Sequence, residues 1–175
     1  MEIAEYFSIS RMARIMLLLV LGLLAIFAEA APLGLNAAAR PSPDLLLCLV
    51  AFWALRRPGS TPVLAVFSLG LCRDLLTDVP VGAGTLSLVI VAELLKSWRL
   101  TIARTIFPLE WAVVGLAALG SATLQWVLVV ITLAQPPYVM VLIHQSLFTA
   151  AIYPFIMIFL RWGLRITWRK REVVA

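Results

Sequence analysis

Charge is what this 175-residue chain has least of: Asp, Glu, Lys and Arg make up 13% of it, against 63% apolar residues. Soluble domains run nearer one-quarter charged and one-half apolar. With a mean hydropathy of +1.03, the chain carries more apolar surface than a soluble core of this length can hide. An integral membrane protein with little mass outside the bilayer is expected. Reactive groups are equally sparse. The two cysteines, Cys48 and Cys72, lie inside apolar stretches without metal-ligand spacing and read as small hydrophobes. The one histidine, His144, falls deep in the last apolar segment beside Gln145. A buried imidazole there can relay protons or bind a metal; the plainer reading is a histidine hydrogen-bonded to another helix or near the outer surface. No second His or Cys stands at ligand spacing, so no metal site is expected. A P-loop, an HExxH helix and a Gly-x-Ser-x-Gly elbow are all missing. Ser68, Ser87, Ser121 and Ser146 are scattered. Carboxylates are too few for a metal-dependent lipid-headgroup transferase, and "GAGT" at 82–85 lacks the aspartate of an intramembrane aspartyl protease. Neither an enzyme nor a bound cofactor is expected.

What is present is a series of apolar segments, with no Ser/Gly-rich linker, low-complexity run or repeat dividing them, so residues 1–175 read as one transmembrane domain. A spanning helix needs about 20 apolar residues. The sequence predicts helices at about 15–33, 44–55, 62–76, 81–95, 107–134 and 138–160, followed by a basic tail, 161–175. The second begins "SPD", where Ser42 is a candidate cap and Pro43 suits a first helical turn. It stops at "RRPG", residues 56–59. "QPP" at 135–137 makes the last two helices an antiparallel hairpin. Helices two to four are short: twelve residues reach about 18 Å against a core of about 30 Å. Snorkelling, thinning or burial against longer helices would cover the difference, and four helices with re-entrant segments is the alternative.

Charge placement favours six. With the N-terminus in the cytoplasm, Arg11, Arg14, Arg56, Arg57, Lys96, Arg99, Arg104, Arg161, Arg165, Arg169, Lys170 and Arg171 all fall inside; only Arg40 and Arg73 fall outside. Twelve against two is the asymmetry that orients membrane proteins. The pI of 9.9 therefore reflects topology, and no nucleic-acid partner is implied. A competing reading takes "RMARIMLLLVLGLLAIFAEAAP" as a cleaved signal peptide, leaving five helices.

The stretch "FSLGLCRDLLTDVPVGAG", residues 67–84, concentrates the remaining polarity. Asp74 and Asp78 are i, i+4 and share a face if the third helix reaches Asp78. One reading is an interfacial loop in which Arg73 and Asp74 partly neutralise each other in water. The other is a buried polar anchor, since a carboxylate at membrane depth costs several kcal/mol unless paired. Pro80, Gly82 and Gly84 would then shape a tight turn into helix four. Elsewhere, Glu93 and Lys96 form an i, i+3 interfacial pair. Ala117 to Ser121 and Ala118 to Ala122 are small-xxx-small pairs suited to close helix packing. Arg161, Arg165 and Arg169, interleaved with Trp162 and Trp168, fit a tail attracted to anionic lipids.

Two of these stretches, "RPSPDLLLCLVAFWALRRPG" (40–59) and "GLCRDLLTDVPVGAGTL" (70–86), resemble motifs of the rod shape-determining MreD family of bacterial inner-membrane proteins. The first is similar to the family's Pro-Asp start of helix two with its aromatic and Arg-Pro exit, here Pro43, Asp44, Trp53, Arg57 and Pro58. The second is similar to its Gly-x-x-x-Asp motif followed by Pro-x-Gly, here Gly70, Asp74, Pro80 and Gly82. Thr77 and Asp78 stand where many relatives carry a glycine or serine, so Asp78 takes no role from the family. The resemblance covers roughly residues 11–162. It implies a non-enzymatic, multi-pass subunit of the cell-elongation machinery that supports peptidoglycan synthesis and rod shape. Its implied partners are the bitopic MreC and, indirectly, the actin-like MreB and the elongation glycosyltransferase and transpeptidase. The implied fold is similar to the six-helix substrate-binding subunits of energy-coupling-factor transporters. A vitamin-type transport subunit is accordingly the alternative function; Glu29, Asp74, Asp78 and His144 would line its pocket.

Overall fold

The computed structural model describes residues 2–30, 43–77, 80–102, 107–132 and 138–164. Six α-helices account for nearly all of them: α1 (Glu2–Ala30), α2 (Leu45–Arg56), α3 (Val63–Leu76), α4 (Ala83–Ile102), α5 (Phe107–Ile131) and α6 (Val139–Leu164), with one 3-10 turn at Pro58–Ser60 between α2 and α3. Three stretches are long and apolar enough to cross a membrane: Arg11–Ala30, Pro108–Ile131 and Val139–Leu160.

Helix boundaries differ from the sequence expectation where hydropathy and helix-forming capacity part company. α1 begins at Glu2 instead of Ile15, because residues 2–14 contain no Gly or Pro to stop a helix although they are too polar to be read as a span. α4 continues to Ile102 past the charged "ELLKSWR", since Lys96 and Arg99 mark an interface without breaking a helix. α6 likewise runs on to Leu164, beyond the expected Leu160. The start of α2 is capped by Asp44, not Ser42: its carboxylate accepts the Leu47 N–H, and Pro43 lies before the cap. α3 stops at Leu76 with Thr77 extended, so the condition for a helical face shared by Asp74 and Asp78, a helix continuing through Thr77, is not met. Asp78 itself, the "QPP" hairpin and most of the basic tail lie outside the described residues.

The shortest helix is the most buried. From Leu46 to Arg56 every residue of α2 is buried, Phe52, Trp53 and Ala54 completely. α2 packs on α1, α4, α5 and α6, while α3 bridges α1 and α4, and α5 lies between α4 and α6. Four helices thus pack around a central rod about 18 Å long. Burial against longer neighbours is one of the arrangements the sequence leaves open for a short second helix. Close approach is set at specific small residues. A Cβ on Gly70 would lie 2.8 Å from the Thr85 Cα, so α3 and α4 meet there with no room for a side chain. Ala118, Ser121 and Ala122 are buried on α5, and Ser121 donates to Ser87 of α4 at 3.4 Å.

The outward faces are apolar. Leu64 on α3 is 77% exposed and Phe155 and Phe159 on α6 are 73% exposed, an arrangement suited to lipid and costly in water. Pro154 inside α6 supplies no N–H to the Ala150 carbonyl. That carbonyl instead accepts the indole N–H of Trp111 from α5 at 2.7 Å, the kind of repair by a neighbouring helix that lets proline persist where water is absent.

Candidate functional site

Both ends of α2 are held by buried ion pairs. At its C-terminal end, Arg56 donates through Nη2 to both oxygens of Glu110, at 2.9 and 3.1 Å. Tyr153 donates its hydroxyl to Glu110 Oε1 at 2.8 Å. The Arg56 guanidinium also stands 4.8 Å over the Phe52 ring, a cation–π contact. Phe52 packs edge-on to Trp53 at 5.9 Å. This cluster joins α2, α5 and α6. Arg14 reaches Ser60 Oγ at 3.2 Å nearby. Lys96 donates to the Thr61 carbonyl and to Glu93, both at 2.6 Å.

The N-terminal end of α2 gathers the two stretches singled out in the sequence. The first amides of a helix have no intrahelical partner; here Leu45 donates to the Pro43 carbonyl at 3.1 Å, and the next two are met by the cap and by a group distant in sequence. Asp44 Oδ1 accepts the Leu47 N–H at 2.7 Å, and Glu29 of α1 accepts the Leu46 N–H at 2.9 Å. The Asp44 N–H itself donates to Thr149 Oγ1 of α6 at 2.9 Å. The second Asp44 oxygen accepts from Arg73 Nη1 of α3 at 2.8 Å. Three helices therefore converge on one cap.

Asp74 does the equivalent for α4. Its Oδ2 accepts three bonds, from the Gly82 N–H (2.9 Å), the Thr85 N–H (2.9 Å) and the Thr85 hydroxyl (2.8 Å). The sequence motif is explained by this staple. Gly82 has φ +100°, a conformation natural to glycine, and it delivers its N–H to the carboxylate. A Cβ on Gly84 would collide with Asp74 Oδ1 and come 2.9 Å from Arg73 Nη2, so the turn fits only without a side chain there. Thr77 closes α3 by donating to the Arg73 carbonyl at 3.0 Å.

Arg73 and Asp74 are buried at 8% and 2% exposure. The interfacial-loop reading, in which the two screen each other in water, is therefore replaced: each has its own partner on another helix, Asp44 for Arg73 and the start of α4 for Asp74. Between these groups lies a polar cavity of about 120 Å³, bounded by Glu29, Asp44, Arg73, Asp74, Gln125 and Gln145 among others. It brings Glu29 and Asp74 together as the transport alternative expects. His144 is not among its lining residues. That histidine, expected deep in helix six, is exposed on α6 with Nδ1 2.7 Å from its own helix's Met140 carbonyl.

Other singled-out residues have structural surroundings. Trp53 is fully buried. The Arg57 N–H caps α2 on the Trp53 carbonyl at 2.7 Å, and Pro58 opens the 3-10 turn. The Pro80 carbonyl accepts the Ala83 N–H at 3.1 Å, opening the turn into α4. Cys48 is buried with its thiol 3.5 Å from the Thr149 carbonyl, and both cysteines are free. No group of three His, Cys, Asp or Glu placed to hold a metal occurs among the described residues. Sequence reasoning missed the Arg56–Glu110–Tyr153 cluster. Its only sequence signal was a lone glutamate, Glu110, in the first turn of an otherwise uncharged helix, where a carboxylate at membrane depth calls for a partner. Compared with known proteins, the chain matches no family model, no curated protein and no solved structure.

Proposed function

We propose that this protein is a non-enzymatic, multi-pass subunit of the bacterial cell-elongation complex, of the MreD type, residing in the inner membrane. On this reading it crosses the membrane six times with both termini in the cytoplasm, in a fold like that of energy-coupling-factor substrate subunits. It docks a bitopic MreC-like partner and, through it, the actin-like MreB and the elongation glycosyltransferase and transpeptidase. The basic tail rests on anionic lipid.

One observation carries the reading. The two stretches that resemble the family are 29 residues apart at Asp44 and Arg73, yet they meet in one buried ion pair, with the Pro80–Gly84 turn stapled beside it by Asp74. Motif residues that serve one another in this way form a built element at one end of the bundle. The charge distribution supports the topology: Arg14, Arg56 and Lys96 gather at one end of α2 and Arg73 at the other, as the positive-inside pattern requires. Asp74 holds the turn whose outer surface would meet the partner.

The test is a mild-detergent pull-down of the tagged protein from its native membranes, with co-purifying proteins identified by mass spectrometry. A single-span coiled-coil protein recovered with elongation synthases is the expected result. The polar cavity favours a second reading, a transport subunit, for which paired ATPases would be recovered instead.

A further inference from the structure

The Arg56 end of α2 carries a surplus of positive charge built around one turn. Arg57 opens the 3-10 turn Pro58–Ser60, and the two residues after Gly59 each hold a cation from another helix. Arg14 of α1 donates through Nε to Ser60 Oγ at 3.2 Å, and Lys96 of α4 donates to the Thr61 carbonyl at 2.6 Å. A second cation stands one helical turn from each of these: Arg11 precedes Arg14 by three residues, and Arg99 follows Lys96 by three. α1 runs from Ser60 towards the start of α2, and α4 runs from Asp74 back to Thr61. Arg11 and Arg99 therefore both lie on the outer side of the turn, away from the centre of the bundle.

The inner cations are committed and the outer ones are not. Arg14 and Lys96 hold the turn in place, whereas Arg11 and Arg99 have no hydrogen-bond or ion-pair partner among the described residues. Arg56 is balanced by Glu110, which leaves Arg11, Arg14, Arg57, Lys96 and Arg99 with one described carboxylate, Glu93. The surface over the turn is open, since Gly59 is exposed and a Cβ there would meet nothing within 4 Å. On the side facing the bundle centre the surface turns apolar at once. Met16 of α1 and Val63 and Leu64 of α3 are exposed there, on two helices that pack together. A cationic rim above exposed apolar side chains is complementary to an amphiphile with an anionic head. A small soluble anion would match only the rim.

We propose that the turn at 57–61 docks one anionic glycerophospholipid, its phosphodiester over Gly59 and its acyl chains against Met16, Val63 and Leu64. Arg11 and Arg99 donate charge-assisted hydrogen bonds to the phosphate oxygens from the two sides of the turn. This is a site of defined stoichiometry, separate from the basic tail at 161–175, whose attraction for lipid is one of charge alone. It also lies at the opposite end of α2 from the Pro80–Gly84 turn, so its failure would leave the elongation-complex reading standing.

The probe is phosphatidylglycerol, titrated into the full-length protein in a non-ionic detergent, with thermal unfolding followed by tryptophan fluorescence. The expected result is a rise in the unfolding midpoint that saturates at about one lipid per chain. Phosphatidylcholine with the same acyl chains, and inorganic phosphate at equal concentration, should give no comparable rise. Gly59→Glu sets a carboxylate in the open space over the turn and should weaken the apparent affinity about tenfold relative to Gly59→Gln. Arg11→Gln and Arg99→Gln break no described bond and should each weaken it about fivefold. Arg169→Gln, the same charge change in the tail, should leave it unaltered. A flat response to phosphatidylglycerol overturns the proposal, as does an equal response to phosphatidylcholine or to inorganic phosphate. So does a loss in Arg169→Gln equal to that in Arg99→Gln, which would mean diffuse attraction to the whole basic surface. An affinity unchanged in both Arg11→Gln and Arg99→Gln overturns it too, whether or not Gly59→Glu folds.

Discussion

At the Arg56 end of α2, Glu110 has both oxygens taken by protein donors, and the arginine lies against an aromatic ring. At the Asp44 end, about 18 Å away along the helix, a comparable arginine–carboxylate pair borders a polar cavity and is surrounded by two more acids. Both pairs are buried, with side-chain exposures of 2% and 7% for Arg56 and Glu110, and 10% and 9% for Arg73 and Asp44. Similar chemistry thus serves different ends. A pair whose partners are all protein groups fixes three helices in register. A pair beside polar space holds a turn in shape while leaving groups available to something else.

Breaking the closed end should cost most. Arg56→Ala leaves Glu110 buried with only the Tyr153 hydroxyl, and loss of one member of a buried pair costs about 3–5 kcal/mol. The expected result is a protein that fails to accumulate in the membrane, read by quantitative blotting. Arg73→Ala should cost less, about 1–3 kcal/mol, because water in the cavity can solvate the Asp44 oxygen left behind. Equal losses from the two substitutions would remove the distinction between the ends. Gly84→Ala comes next. Its Cβ would meet Asp74 and Arg73 together, so the turn must shift by a few tenths of an ångström or more. A lower unfolding midpoint is expected, accompanied by faster proteolysis at the 77–84 connection. Tyr153→Phe should be mildest of the set, about 1 kcal/mol, because Arg56 still satisfies Glu110.

How much of this was legible in the sequence depends on distance along the chain. Local rules read well: the Arg-Arg-Pro-Gly stop at 56–59 and the use of Gly82 and Gly84 in a tight turn follow from residue type and spacing, whereas burial of the short second helix was one of several options that only packing could decide between. The cap of α2 was misplaced by two residues because Ser42 and Asp44 are both good cap residues, and only Glu29, Arg73 and Thr149, brought in by other helices, favour Asp44. The partners of Arg73 and Arg56 were not legible. Each arginine had nearer candidates, Asp74 beside Arg73 among them, and pairing across 29 and 54 residues is decided by how helices pack. Hydropathy also misjudged α1 and α4, since it reports where lipid begins and not where a helix ends.

The central claim is that the Asp44 end, and not the bundle as a whole, is the element that meets a partner. The most direct measurement compares Asp74→Asn with Tyr153→Phe in pull-downs from native membranes, at matched membrane levels. Asp74→Asn exchanges a charged acceptor of three hydrogen bonds for a neutral amide, loosening the turn, while Tyr153→Phe loosens the opposite end. The account predicts that Asp74→Asn loses most of the single-span partner and Tyr153→Phe retains it. Partner recovery at native levels with Asp74→Asn, or equal losses from both, would contradict it.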